Sequence, residues 1–370
     1  MTITIESPQT PTIFAQPSTA GRIQQRTAGG DNEVPRDDKE RPRIRIECPK
    51  CVGSGRLPSQ KRPGNTVQCP TCKGKGEAER SFTRTTTYID VLEDKSNLQA
   101  WGERKVLIGA ALDPRFLDGV LDRNDEENEG RDWLNARAKA AKTKAGSEVK
   151  AERGTYLHSL SELKDQGQFL PDDVSFEDVL DMDAYTRTYR NFKHVHMEKL
   201  VVVDELKVAG TPDRVSRWDS RAYCFEPYCE FCDGLREPTH YVPLITPDGQ
   251  EISEDDLLIT DLKTGRVDYG QLKIAMQLAI YSRGKFYSHK PELLADCRQD
   301  MGNVRQDWGI IINLPAGSGE AELYWADLTM GWEAVQVATK IRDLRNRGKK
   351  ALIPMAKTAL ATELALAVAV

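Results

Sequence analysis

Four short segments carry side chains that could work together on a phosphate ester. In chain order they are Gly154-Thr-Tyr-Leu-His158 with Glu162, Gly210-Thr-Pro-Asp213, Asp261-Leu-Lys263, and Gln277-Leu-Ala-Ile-Tyr281. Two carboxylates, an imidazole and a lysine can hold Mg²⁺ or Mn²⁺ and polarise a water beside a phosphodiester. Hard carboxylate oxygens suit these ions, which keep several waters and bind substrate phosphate. Each piece alone has a plainer reading. His158 would be a satisfied structural histidine, Asp261 and Lys263 a surface ion pair, and Gln277 with Tyr281 a half-buried helix face. The ordered set, with each piece on a consistent element, carries the chemical reading.

The elements must position these groups. Asp261 and Lys263 are two apart near the end of a short apolar run over 257–262, the pattern of a buried strand. Side chains i and i+2 of a strand project on one face, so both point into one pocket. Asp213 follows a Gly-Thr-Pro turn and reaches that pocket if its strand is adjacent. His158 and Glu162 are i and i+4 on a helix predicted over 152–164 and share a face. His158 is then a further metal ligand, with Glu162 behind it. Gln277 and Tyr281, again i and i+4, are placed to hydrogen-bond a DNA phosphate or to brace Lys263. Lys263 would orient the attacking water or stabilise developing charge. Strands are predicted over 200–203 and 206–208 around an Asp204-Glu205 turn, with 214–218 continuing the second past Asp213. A helix over 269–287, strands over 308–314 and 321–328, and a closing amphipathic helix over 332–347 follow. Helix, three strands, helix, strand is a small α/β core.

These segments, with Ala209-Gly-Thr-Pro-Asp213-Arg-Val and Ile259-Thr-Asp261-Leu-Lys263-Thr-Gly around them, resemble the RecB-like branch of the PD-(D/E)XK nuclease superfamily. That branch includes the CRISPR-associated and bacteriophage exonucleases, and the similarity spans roughly residues 81–345. The resemblance implies a restriction-endonuclease-like core, a mixed sheet flanked by helices. It implies that His158, Asp213, Asp261 and the Leu262 carbonyl bind Mg²⁺ or Mn²⁺, and that Lys263 is catalytic. It places Glu198, which would open the first strand, near the site, and matches Gln277 and Tyr281 to the branch's helical signature. The activity implied is DNA exonuclease action on single-stranded or duplex ends, in recombination, repair or phage DNA metabolism. The alternatives are a non-catalytic DNA-binding recombination accessory protein and a zinc-based protein-interaction adaptor.

Cysteines mark a second chemistry. Seven of the eight sit in tight clusters, which favours metal over disulfides. Cys48-Pro-Lys-Cys51-Val-Gly-Ser-Gly and Cys69-Pro-Thr-Cys72-Lys-Gly-Lys-Gly are paired CxxCxGxG units with 17 residues between Cys51 and Cys69. Each knuckle presents two thiolates to one tetrahedral Zn²⁺, and the glycines permit the tight backbone turn. The pair resembles half of the cysteine-rich domain of DnaJ co-chaperones. The missing half and the lack of a His-Pro-Asp tripeptide argue against a co-chaperone. A structural zinc clip and a nucleic-acid contact both remain open. Residues 41–76 carry nine Lys or Arg against Glu47 alone, a local excess that attracts phosphate. A second group, Cys224, Cys229 and Cys232, sits with His240 in an expected metal-clipped insertion, with Tyr223–Glu226 pairing against 241–245. Its fourth ligand would be His240 or, alternatively, Cys297. Its placement favours zinc over an iron–sulfur cluster.

The remaining properties set bounds. At 370 residues the chain holds one large domain with appendages or two domains. Its formal charge of −5 means that DNA affinity must come from local basic patches. The stretch 340–350 is a candidate patch, with a solvated helix face the plainer reading. No apolar run reaches the roughly 18 residues of a membrane span, and the first residues lack a signal-peptide pattern. The expected setting is cytoplasmic, in a bacterial or phage-infected cell, with no membrane partner. The chain has no G-x-x-x-x-G-K-[ST] phosphate loop, so any unwinding would fall to a helicase or recombinase partner. The expected organisation is a disordered 1–40, a zinc module over 41–80, a helical lead-in over 81–150, a nuclease core over 151–350 with an insertion over 219–256, and a tail over 351–370.

Overall fold

The computed structural model describes residues 34–220 and 242–353. It opens with four strands, β1 (Arg43–Glu47), β2 (Arg56–Pro58), β3 (Thr66–Gln68) and β4 (Glu77–Ser81), then β5 (Thr83–Arg84). Helices α1 (Thr85–Ile89), α2 (Ser96–Leu112), α3 (Asn128–Lys144), α4 (Val149–Asp165) and α5 (Phe176–Tyr189) follow. Next come β6 (Phe192–Met197), β7 (Val201–Val203), β8 (Val208–Gly210), β9 (Arg214–Trp218) and β10 (Leu258–Lys263). The chain then runs through α6 (Gln271–Tyr281), β11 (Lys285–Tyr287), β12 (Arg298–Gln299), β13 (Trp308–Asn313), β14 (Glu322–Asp327) and α7 (Leu328–Gly348).

The molecule is mixed α/β. A five-stranded sheet has the order β14-β13-β10-β9-β6, with β10 and β13 parallel and the other pairs antiparallel. Strand periodicity sorts its side chains to two faces. Leu258, Leu262, Ile310 and Ile312 bury against Tyr156, Leu157 and Leu160 of α4 and Met182 and Tyr185 of α5. Ile259 and Ile311 bury on the other face against Met276 and Leu278 of α6 and Val335 and Ala338 of α7. Each such aliphatic side chain contributes ~1.5–3 kcal/mol when removed from water. A second five-stranded sheet has the order β12-β11-β7-β8-β5.

Several sequence expectations need correction. The strand ending in Gly210 does not continue into β9. β7 and β8 form a hairpin in the second sheet, and the chain changes sheets across Thr211, Pro212 and Asp213. Pro212 has no N–H to offer a ladder, so the break falls there. Beside β9, at the edge of the central sheet, lies β6, which was not read from the sequence. As an edge strand it carries the mixed pattern Phe-Lys-His-Val-His-Met, without a run of apolar residues. Glu198 therefore does not open a first strand. It sits between β6 and β7 with φ 48°, a left-handed backbone uncommon outside glycine. The helix expected over 269–287 stops at Tyr281, and Lys285–Tyr287 is a strand. Gly284 explains the break: a Cβ there would lie 2.2 Å from Val201 Cγ1, so the chain passes too close to β7 for a helix to continue. Within the segment expected to be disordered, Val34 is buried with Ile44, Phe82 and Leu200, and Arg36 bridges to Pro42. Helix α5 was also missed.

Candidate functional site

The ends of β9 and β10 meet the third and fourth turns of α4. β9 pairs with β10 as far as Arg214 opposite Thr260. One residue earlier, the Asp213 carboxylate takes over: its Oδ2 accepts the Leu262 backbone N–H at 2.8 Å. The same oxygen lies 3.4 Å from His158 Nδ1. Asp261 and Lys263 share one face of β10, and the Lys263 ammonium contacts Asp261 Oδ2. Gly154 lets α4 approach, because a Cβ at that position would lie 2.8 Å from Thr264 Oγ1. His158 stands one turn further along the same helix.

Acidic groups crowd this corner. Burial pushes Glu198 up to about 9, helped by the charges of Asp213, Glu162 and Asp261. Burial likewise raises Glu162 to about 7, with Arg214 opposing and Asp213 adding. Asp261, fully buried, is pushed up to about 6 by burial and Asp213, against the pull of Lys263 and His158. Its Oδ2 is held by the Lys263 ammonium. Lys263 is itself held above its ordinary value: burial lowers it, and Asp261 and Asp213 outweigh burial.

A buried polar network underlies the cluster. Arg214 is 2% exposed and donates Nε to Asp165 Oδ2 at 2.5 Å and Nη2 to Ser161 Oγ at 2.6 Å. Asp165 also receives the Tyr185 hydroxyl at 2.6 Å and lies 2.9 Å from His194 Nε2. Sequence reasoning missed Arg214, Asp165 and His194. The available signal was Asp165 on the same helical face as His158 and Glu162, one further turn along.

Gln277 and Tyr281 do not project together to the surface. Tyr281 is buried, and its hydroxyl accepts Gln277 Nε2 at 3.3 Å. It packs on Gly210, where a Cβ would meet the tyrosine ring at 2.8 Å. Tyr281 thus lies between α6 and the sheet-changing segment, where the charges of Asp261 and Asp213 reach it.

Cys48, Cys51, Cys69 and Cys72 are all buried, and their sulfurs lie within 4.8 Å of one another, so they could bind a metal such as zinc. Two matching knuckles build the site. Cys48 N–H donates to Gly76 O and Cys69 N–H to Gly55 O, while Gly55 N–H and Gly76 N–H each donate to a sulfur, of Cys51 and Cys72, at 3.3 Å. Gly55 and Gly76 have φ of 70° and 78°, and a Cβ at either would strike the other knuckle's backbone within 2.3 Å. Among the described residues this is the group of His, Cys, Asp or Glu that closes to such spacing. His158, Asp213 and Asp261 do not, since Asp213 is drawn to Leu262 N–H and Asp261 to Lys263. Cys224, Cys229, Cys232 and His240 lie outside the described residues. Cys297 is buried elsewhere, its sulfur 3.3 Å from Arg45 Nη1.

The cysteine module docks through Arg45 on β1. Its N–H donates to the Tyr287 hydroxyl at 3.0 Å, and its guanidinium reaches Glu77 and the Pro291 and Glu292 carbonyls. The outer surface presents Lys50, Arg56, Lys61, Arg62, Lys73 and Lys75, all exposed. No described helix is long and apolar enough to cross a membrane. No family model and no curated protein matches the chain.

Proposed function

We propose that the chain is a metal-dependent DNA nuclease of the PD-(D/E)XK type, with Zn²⁺ in the four-cysteine site. The observation that carries this reading is the meeting of Asp213, Asp261, Lys263 and His158 at one end of the central sheet. The supporting topology runs through α4, then β6, β9 and β10 with β9 antiparallel to both of the others, then α6 and β13, which is parallel to β10.

Hard carboxylate oxygens suit Mg²⁺ or Mn²⁺, and His158, Asp213 and Asp261, which do not close to ligand spacing on their own, would have to draw together around the ion. Glu162, Glu198 and Asp261 share a buried corner with Asp213, whose charge adds to the rise of each of the three. A cation in this corner would favour the ionised form of these carboxyls. Asp213, Asp261, His158 and the Leu262 carbonyl would hold it. When bound, the ion would lower the pKa of a coordinated water and neutralise phosphate charge. Lys263 keeps its proton beside Asp261 and can orient that water or face the charge that develops on the phosphate. Glu198 and Glu162, with raised affinity for protons, can hold one near the reacting centre. Arg214, locked by Asp165 and Ser161, fixes the start of β9 and hence Asp213.

The test is digestion of 5′- and 3′-labelled single- and double-stranded oligonucleotides with Mg²⁺ or Mn²⁺, then with EDTA. Metal-dependent products that disappear in Asp261→Asn carry the reading. Binding without cleavage under every metal would leave the accessory DNA-binding role instead.

A further inference from the structure

Beside the carboxylate cluster, on the other side of Tyr281, lies a cleft of about 310 Å³. Its walls include Arg36, Arg84, Thr85, Thr86, Gly210 and Thr211. Arg36 and Arg84 are exposed, and neither forms an ion pair among the described residues. Thr85 is 1% exposed and lines this cavity, with its hydroxyl against the Tyr281 hydroxyl. The Thr85 hydroxyl can accept the Tyr281 phenol proton and keep its own proton for an acceptor that is brought into the cleft. Gly210 keeps the cleft open to these groups: a Cβ there would lie 2.5 Å from Thr85 Oγ1. Two guanidinium forks and threonine hydroxyls on the walls of one cleft match the oxygens of a phosphate better than those of any neutral group. Thr211 joins the cleft to Asp213 by two residues of chain.

We infer that this cleft binds a phosphate of the nucleic-acid strand whose neighbouring phosphodiester lies at Asp213 and Asp261. This rests on the nuclease reading for its choice of ligand. Arg36 and Arg84 supply the charge, Thr85 donates its hydroxyl, and Tyr281 is the partition between the bound phosphate and the carboxylates. The strand is held through its backbone, so the cleft reads no base.

The test uses the full chain in EDTA, where cleavage is silent, and a 12-nucleotide single strand labelled at its 3′ end with either a 5′-phosphate or a 5′-hydroxyl. Anisotropy is read across a salt series. Arg36→Ala and Arg84→Ala are each expected to weaken binding about tenfold and to reduce the salt slope by about 0.7. Thr85→Val changes no charge and is expected to weaken binding about threefold at unchanged slope. Loss confined to the 5′-phosphorylated strand assigns the cleft to a terminal phosphate, and equal loss with both assigns it to an internal phosphodiester. Unchanged affinity and slope in both arginine variants overturns the inference, as does failure of the wild-type chain to bind either strand. Cleavage is scored separately with Mg²⁺. A chain that binds through the cleft and never cuts removes the nuclease reading alone, and one that cuts with the arginine variants binding normally removes the cleft alone.

Discussion

Asp213 Oδ2 accepts the backbone N–H of Leu262 at 2.8 Å, so a side chain finishes the ladder that β9 and β10 leave incomplete. The carboxylate is thereby fixed to the strand that carries Asp261 and Lys263. Its position relative to them depends on strand register rather than on loop conformation. Asp213→Asn can present its amide oxygen to the same N–H, whereas Asp213→Ala cannot. If the cluster is the nuclease centre, both should lose cleavage by at least about 10²-fold. Only Asp213→Ala should also lose stability, by ~1–3 kcal/mol. Oligonucleotide digestion with parallel urea melts checks both.

Lys263→Ala should abolish cleavage to a similar degree and leave Asp261 as a buried acid without its cation. The Asp261 carboxyl should then take up a proton more readily than in the parent. Infrared absorption of the carboxyl group across pH 5–8, compared with Asp261→Asn, reports that shift.

The metal-free protein should lose stability as pH rises. Glu162, Glu198 and Asp261 have ordinary values of 4.5, 4.5 and 3.8 and are raised to about 7, 9 and 6. Between those limits the folded chain holds protons that the unfolded chain has released, so unfolding becomes easier with each increment of pH. The contribution is complete near pH 9 and absent below pH 4. Mg²⁺ should raise Tm more at pH 8.5 than at pH 5.5. A flat Tm–pH profile in EDTA would contradict the placement of these acids.

Gly154→Ala introduces a Cβ 2.8 Å from Thr264 Oγ1. Helix propensity alone would favour alanine by about 1 kcal/mol, yet the close approach predicts a loss of cleavage by about tenfold as α4 backs His158 away. Gly154→Ala with Thr264→Ala should regain much of it. A double-mutant cycle on activity and Tm gives the coupling.

Elemental analysis of the purified chain should find at least one Zn²⁺ for the Cys48, Cys51, Cys69 and Cys72 set. Cys48→Ser or Cys69→Ser should lose it and expose 41–80 to protease. Iron or no metal in the parent would refute zinc there.

Asp165→Ala should be the most damaging single change near the site, at ~3–5 kcal/mol, because it strands the buried Arg214 guanidinium. Chemical denaturation measures it.

Local patterns made part of this structure legible. An i, i+2 spacing puts Asp261 and Lys263 in contact, and each CxxC spacing pairs two sulfurs, because both depend on a few consecutive bonds, while the repeat of the same motif signals that the two pairs meet. Edge strand β6, the change of sheets at Pro212 and the left-handed Glu198 were not legible. Each is decided by what lies across the sheet rather than along the chain. Gln277 and Tyr281 show the same limit: helical spacing set their shared face, but only the tertiary packing turned Tyr281 inward against Gly210. Arg214 is ordinary in sequence and becomes exceptional only when Asp165 and Ser161 close around it.

The seat of Arg45 also sets an order of events during synthesis. Arg45 docks on Tyr287, which is 242 positions downstream. The cysteine knuckles are translated long before their landing surface, so any metal they bind can be taken up before that surface exists. For that interval the amino-terminal arm is a finished part awaiting the remainder of the polypeptide. A nascent chain halted before residue 287 should carry it loaded but undocked.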